Sequence, residues 1–225
     1  RAVMLAGGVG YARSEYAKKD KPKNGDEVVV LGGDNYRIGM GGGSVSSVDS
    51  GKASISLELS AIQRANPEMQ KRASNVIRAL AEGKNIQVKM IHDHGAGGHI
   101  NCLSELLEEV GGEIDIQKLP IGDQTLSDRE VLCNESQERM GMIVSKDGIA
   151  KIEKIALRER APMYSVGTVT GSSKLVFKNS RTNAGRNPVS IPLEVIFGSS
   201  PKTILEDQTS KIKSKNSLSI PKNEV

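Results

Sequence analysis

A strand, an acid, a glycine-rich turn and a helix follow one another between residues 86 and 110, and this unit constrains the fold most. A mainly apolar run leads to Asp93, and Gly-Ala-Gly-Gly follows at residues 95–98. Apolar residues then recur at helical spacing, which predicts a helix from about His99 to Val110. A strand that passes through glycines into a helix is typical of layered α/β domains, which bind ligands at the carboxyl edge of the sheet.

Asp93 can have either of two roles at this edge. The glycines allow close backbone approach to an anion, and the helix start offers N–H groups. A carboxylate in this place can also hold a hard cation that bridges phosphate oxygens. Equally, an aspartate before a turn can simply cap it. We expect residues 93–98 to lie on an open surface.

A second polar segment runs from Glu130 to Met140. Glu130 and Asn134 are four residues apart, so they share a face if the helix that starts after Ser127 persists. With Asp93 they would form an all-oxygen ligand set, which suits Mg²⁺ better than zinc. The alternative is that Glu130 only closes a capping box with Ser127.

Four further polar residues can contact a substrate or can simply be solvated. Glu135, Ser136 and Gln137 place a carboxylate, a hydroxyl and an amide side by side, which suits a ligand with amide and sugar hydroxyl groups. Gln63 lies just before Asn66-Pro67, a strong helix start in which Asn66 caps and Pro67 occupies the first turn.

The remaining pattern predicts a mixed sheet with helices, an α/β fold of the α+β type, over residues 1–180. Residues 181–225 are expected to be an extended linker and the start of the next domain, without order of their own after 199. Residues 171–173 are expected to join two strands as a hairpin. The predicted strands cover residues 2–6, 27–31, 53–59, 86–91, 114–119, 139–144, 163–169, 174–177 and 191–197.

Composition argues against several classes of function. The chain has no Trp and only six Phe and Tyr residues, so aromatic stacking on bases is not expected, and the net charge of +4 is not clustered as in a nucleic-acid site. Two distant cysteines fit a reducing cytoplasm. No apolar run reaches the length of a membrane span and no signal peptide is evident. The three histidines and Cys102 leave a zinc site open, although no second thiolate or partnered ligand cluster is evident, and no catalytic triad can be argued.

Several motifs together resemble the large-type phosphoribosylformylglycinamidine (FGAM) synthase family. HDHGAGG at residues 92–98 is similar to the family's HDVGAGG, with His94 in place of Val, and CNESQERM at 133–140 is similar to its CNESQERY/M. GGGSVSS at 41–47 resembles its GGGAASS. Further similar segments, in the same order as in the family, lie at 66–69, 158–162 and 191–198.

The resemblance implies a three-layer α/β/α domain like the C-terminal domain of aminoimidazole ribonucleotide (AIR) synthetase. It would be the domain of that type in the first of two synthetase halves. The whole enzyme would use ATP and glutamine to convert formylglycinamide ribonucleotide (FGAR) to FGAM. Nucleotide domains and a glutaminase domain would then belong to the same polypeptide. The start at Arg1, within an apolar run, also predicts a fragment.

The resemblance also implies roles for individual residues. Asp93, Glu130 and Asn134 would be magnesium ligands and His92 a nucleotide contact. The substrate contacts would be Gln63, Glu135, Ser136 and Gln137. The family has one catalytic and one structural nucleotide site, and the sequence leaves open which of them these residues serve. The alternatives are another AIR-synthetase-like enzyme, of the selenophosphate synthetase or thiamine-monophosphate kinase type, and a non-catalytic metal- or nucleotide-binding module.

Overall fold

A computed structural model gives the fold of the chain. It describes residues 7–11, 13–14, 18–41, 45, 51–52, 54–61, 65–84, 87–135, 138–181, 187–198 and 204. The predicted strand at 2–6, the site residues Gln63, Ser136 and Gln137, and almost all of 199–225 lie outside the described residues.

One mixed sheet of seven strands organises the described part of the chain. The strands are β1 (Glu27–Gly32), β2 (Val88–Asp93), β3 (Gly112–Asp115), β4 (Arg139–Val144), β5 (Met163–Val169), β6 (Lys174–Lys178) and β7 (Val189–Pro192). Their order across the sheet is β2-β4-β1-β5-β3-β6-β7. Neighbours pair antiparallel except β3 with β6, which are parallel.

Helices cover both faces of this sheet, as the predicted α/β/α layers require. They are α1 (Ile55–Ala61), α2 (Pro67–Glu82), α3 (Gly98–Leu106), α4 (Asp128–Cys133), α5 (Ile149–Glu159) and α6 (Leu193–Phe197). Single 3₁₀ turns lie at Ile116–Lys118 and Lys146–Gly148.

The central strand β1 separates two apolar cores, because alternate side chains of a strand point to opposite faces. Val28 and Val30 pack into the core that contains the buried faces of α3 and α4. Val29 and Leu31 pack into the core beneath α2 and α5. All four side chains are buried, which explains why β1 is an uninterrupted apolar run. The predicted fold class is confirmed.

The start signals of two helices work as the sequence predicts. The Asn66 side chain accepts a hydrogen bond from the N–H of Met69 at 3.0 Å, and Pro67 is the first residue of α2. Ser127 and Glu130 form the reciprocal capping box of α4. The helix predicted from about His99 begins at Gly98 but ends at Leu106, earlier than expected.

The strand predicted at 53–59 is wrong, because this segment forms helix α1. The Ser54 carbonyl accepts from the N–H of Glu58 at 3.0 Å and its hydroxyl accepts from the N–H of Leu57 at 3.3 Å, which caps a helical turn. The alternating apolar residues Ile55, Leu57 and Leu59 are all exposed. The capping hydrogen bonds of Ser54 therefore favour a helix, although apolar and polar residues alternate in this segment as they do in a strand.

Two expectations near the carboxyl end are also corrected. Strands β5 and β6 are not a hairpin, because β3 lies between them. Their connection crosses the end of β3 at Gly111, where an added Cβ would lie 2.8 Å from the backbone of Lys174. The strand expected over 191–197 ends at Pro192, which lacks an N–H group, and helix α6 follows.

The domain boundary at residue 180 stays a prediction, although β7 lies beyond it and pairs with β6 in the same sheet. Within the described residues, no helix is both long and apolar enough to cross a membrane. Cys102 and Cys133 are free thiols, the first buried and the second exposed.

Candidate functional site

The acid–glycine turn follows β2 at the edge of the sheet. Asp93 is the last residue of β2, and its side chain is 74% exposed. The turn closes with a hydrogen bond from the N–H of Gly98 to the carbonyl of Gly95 at 3.2 Å, and α3 begins there. Asp93, Gly95 and Ala96 are exposed as expected, whereas His94 and Gly98 are buried.

The second polar segment lies directly against this turn. The N–H of Gly97 donates to the carboxylate Oε1 of Glu135 at 2.8 Å. Gly98 has a φ of +63°, and a Cβ built on it would lie 2.2 Å from the carbonyl oxygen of Asn134. Only glycine combines this left-handed conformation with so close an approach. The structure thus joins the two motifs that are about forty residues apart in the sequence.

A third segment, the loop after β1, completes the cluster. The side-chain amide of Asn134 donates to the carbonyls of Tyr36 and Ile38, the second at 2.9 Å. The N–H of Glu135 donates to the carbonyl of Gly39 at 3.2 Å. Asn134 is fully buried, so these bonds fix the plane of its amide. This loop leads into the glycine-rich residues 41–47, most of which lie outside the described residues.

Glu130 performs its capping role and also carries a salt bridge. Its Oε2 accepts from the N–H of Ser127 at 2.8 Å, and its Oε1 contacts Nη1 of Arg37 at 2.5 Å. The N–H and hydroxyl of Ser127, and then Arg37, hold the pKa of Glu130 below its ordinary value. The carboxylate is therefore charged, and Arg37 already occupies one of its oxygens.

His92 is held by carboxylate and backbone oxygens at the same edge. Its Nε2 contacts Oε2 of Glu105 on α3, and its Nδ1 lies 2.9 Å from the carbonyl oxygen of Asp93. The His92 side chain is 24% exposed, and both of its ring nitrogens already contact protein oxygens.

The donor types at this site match a hard cation better than a soft one. Asp93, Glu130 and Asn134 offer two carboxylates and one amide, and oxygen ligands of this kind suit Mg²⁺. Among the described residues, no group of three or more His, Cys, Asp or Glu side chains is arranged to hold a metal. The donor types suit Mg²⁺, but Asn134 is fully buried and Glu130 is paired with Arg37, so the assignment of the three residues stays a prediction.

A buried polar network behind the site could not be predicted from the sequence. It consists of Asn35, His94, His99 and Arg139, each at most 6% exposed. Its members come from three places in the chain, because His94 and His99 flank the same glycine turn while Asn35 and Arg139 are far from it in sequence. Burial and then the charge of Arg139 keep the pKa values of both histidines well below the ordinary value.

Known proteins similar to this chain agree with this fold. A region 39% identical over 213 residues occurs in phosphoribosylformylglycinamidine synthase of Saccharomyces cerevisiae, covering 93% of this chain and 16% of that protein. The chain thus spans about a sixth of the length of this curated relative. PurL of Thermotoga maritima complexed with FGAR has a TM-score of 0.73 at 23% identity, over 89% of this chain and 32% of that one.

A second structure of the same protein, complexed with ATP, has a TM-score of 0.67 at 19% identity, over 89% of this chain and 30% of that one. At these identities the structures establish the shared fold. The family model for the C-terminal domain of AIR synthase related proteins matches residues 23–178, which span β1 to β6 and every segment of the candidate site. The chain belongs to the family of AIR synthase related proteins, of which it contains the C-terminal domain.

Proposed function

We propose that the chain is one domain of a longer FGAM synthase, which uses ATP and glutamine to convert FGAR to FGAM in purine biosynthesis. The similarity to the yeast protein of that name supports the assignment. The observation that carries it is the bond from the N–H of Gly97 to the Glu135 carboxylate at 2.8 Å. This bond joins the acid–glycine turn and the second polar segment into one site.

Asp93, Glu130 and Asn134 hold Mg²⁺ in this proposal, and His92 contacts the nucleotide. The metal supplies charge neutralisation at phosphate oxygens. The exposed carboxylate of Asp93 is ready to bind a cation, whereas Glu130 must share its charge with Arg37. Arg37 and the cation therefore compete for the same carboxylate.

Glu135, together with Ser136, Gln137 and Gln63, contacts the amide and hydroxyl groups of FGAR. The Glu135 carboxylate is oriented by the Gly97 N–H, and its backbone is fixed by Gly39. Such orientation reduces the entropy that binding must overcome. The reaction itself is expected to activate the formyl amide oxygen of FGAR by phosphorylation, and ammonia then displaces the phosphate.

The rest of the polypeptide supplies the parts that this domain does not contain. Nucleotide domains complete the ATP sites, and a glutaminase domain releases ammonia from glutamine. We place the enzyme in the cytoplasm, since the two cysteines of this chain are free thiols, which fits a reducing compartment. The isolated domain is expected to be inactive.

Asp93→Asn tests the metal assignment in the full-length protein that contains this chain. The change removes a negative charge and one anionic ligand but keeps the size of the side chain. We expect the Mg²⁺ concentration for half-maximal FGAM formation to rise about 10- to 100-fold, because the cation loses one charged ligand. Formation of FGAM from FGAR, ATP and glutamine is measured while the concentration of free Mg²⁺ is varied.

Asp147→Asn is the matched control, because Asp147 is exposed on the turn before α5, outside the three segments of the candidate site. It should leave the dependence on Mg²⁺ unchanged. An Asp93→Asn enzyme with the wild-type dependence on Mg²⁺ would refute the metal role. A full-length wild-type protein that forms no FGAM under any of these conditions would refute the proposed function.

A further inference from the structure

The ligand contacts proposed above do not include the buried network of Asn35, His94, His99 and Arg139. Nη1 of Arg139 contacts Nε2 of His99 at 2.7 Å and also donates to the side-chain oxygen of Asn35. The side-chain amide of Asn35 lies 2.9 Å from the same His99 nitrogen. Nδ1 of His99 lies 2.9 Å from Nε2 of His94.

These contacts determine where the histidine protons lie. Arg139 and the Asn35 amide nitrogen can only donate, so Nε2 of His99 must accept. The His99 proton is therefore on Nδ1 and is donated to Nε2 of His94. His94 in turn carries its proton on Nδ1, which is buried. Both rings are thus neutral, and the hydrogen bonds run in one direction from Arg139 to His94.

The network contacts all three segments of the candidate site. Nη2 of Arg139 donates to the carbonyl of Asn134 at 2.9 Å, the oxygen that faces Gly98. His94 and His99 lie immediately before and after the glycine turn. Asn35 lies in the loop after β1, whose carbonyls accept hydrogen bonds from the Asn134 amide. The same few side chains therefore set the distances between the segments.

We infer that His99 and Arg139 are positioning residues, which hold the acid–glycine turn at a fixed distance from Asn134 and Glu135 so that the turn and Asn134 reach one ligand. The identity of the ligand, Mg²⁺ with a nucleotide phosphate, rests on the proposed function. The positioning of the segments does not. The network acts through the Asn134 carbonyl and the bond from Gly97 to Glu135. Arg139 and the two histidines are buried, so they act on a ligand only through these groups.

Filling a core with polar side chains costs free energy unless each buried polar group has a hydrogen-bond partner. A leucine in place of His99 would fill much of the same space without any hydrogen bond. It would also remove the acceptor that orients Arg139 towards Asn134. Glutamine at position 99 keeps one acceptor and one donor. The pair of variants therefore separates positioning from packing.

Hydrogen exchange in the 225-residue chain tests the positioning directly. The reporter is the Gly97 amide, whose partner is the Glu135 carboxylate. We expect His99→Leu to speed its exchange at least about tenfold, while the Val29 amide in β1 keeps its rate. His99→Gln should restore most of the protection. Ile152→Val, a core change on the opposite face of the sheet, should leave Gly97 unaffected.

Nitrogen NMR of the imidazole rings gives a second test. Both His94 and His99 should carry their proton on Nδ1 at pH 7. A proton on Nε2 of His99, or an unchanged Gly97 exchange rate in His99→Leu, would overturn the inference. Equal effects of His99→Leu and His99→Gln would also overturn it, since the hydrogen bonds would then be irrelevant.

Kinetics of the full-length protein connect the network to the site. His99→Leu should raise the KM for Mg·ATP at least about tenfold with a smaller change in kcat, because a positioning defect weakens binding. Equal KM values would contradict a role in ligand positioning. If the wild-type protein forms no FGAM, the proposed function fails, and the exchange and NMR results still decide the positioning.

Discussion

Gly98→Ala should destabilise the chain by about 3 kcal/mol or more and separate the glycine turn from Asn134. Two costs combine at this position. The backbone has a φ of +63°, which an L-residue with a Cβ adopts only under strain. The added Cβ would also lie 2.2 Å from the Asn134 carbonyl oxygen, so the two segments must move apart. The free energy of unfolding in urea measures the loss.

Gly171→Ala is the matched control, because it isolates the first of these costs. Gly171 has a similar φ of +69°, but an added Cβ meets nothing within 4 Å. Its substitution should cost only about 1 kcal/mol. If the two variants had equal stability, the close contact between Gly98 and Asn134 would not exist in solution. We also expect Gly98→Ala to abolish the protection of the Gly97 amide.

Lowering the pH from 7 to 5.5 should lower the free energy of unfolding through His94 and His99, by no more than about 3 kcal/mol. Both side chains are buried and neutral in the native chain, and their pKa values lie well below the ordinary value. In the unfolded chain both histidines titrate at about pH 6.5. The unfolded state therefore binds two protons that the native state does not, and stability falls as the pH drops below that value.

The double variant His94→Val, His99→Leu separates this effect from other titrations. It removes both buried imidazoles and retains His92, so its stability should fall less than that of the wild type between pH 7 and 5.5. Glu130 does not interfere, because its pKa is below the ordinary carboxylate value. Urea unfolding at several pH values measures both proteins. An equal pH dependence in the two would show that the imidazoles are not the source.

The sequence was most informative where local chemistry alone determines structure. Asn66 and Ser127 cap their helices as predicted, because capping depends on residues only three positions apart. Strand β1 was recognised from its run of β-branched residues. The segment 53–59 was misread, because alternation indicates a strand only when a neighbouring strand is available, and the sequence does not show the neighbours of a strand.

The sequence motifs of the candidate site could be predicted, but the contacts between them in the folded chain could not. The two polar segments were found, yet nothing in the sequence showed that Gly97 would donate to Glu135. Arg37 was missed because its partner Glu130 is 93 residues away. Asn35 and Arg139 were missed for the same reason. A long-range contact leaves no periodic signal in a single sequence, so the network appears only in the folded chain.

The location of bound Mn²⁺ tests the central claim most directly. Mn²⁺ prefers the same oxygen ligands as Mg²⁺ and broadens nearby NMR signals even when it binds weakly. In the 225-residue chain we expect selective broadening of amides in the turn that follows Asp93 and around Asn134 and Glu135. The Asp93→Asn variant should lose it. Broadening centred on other acidic residues, or unchanged in the variant, would contradict the proposed cation site.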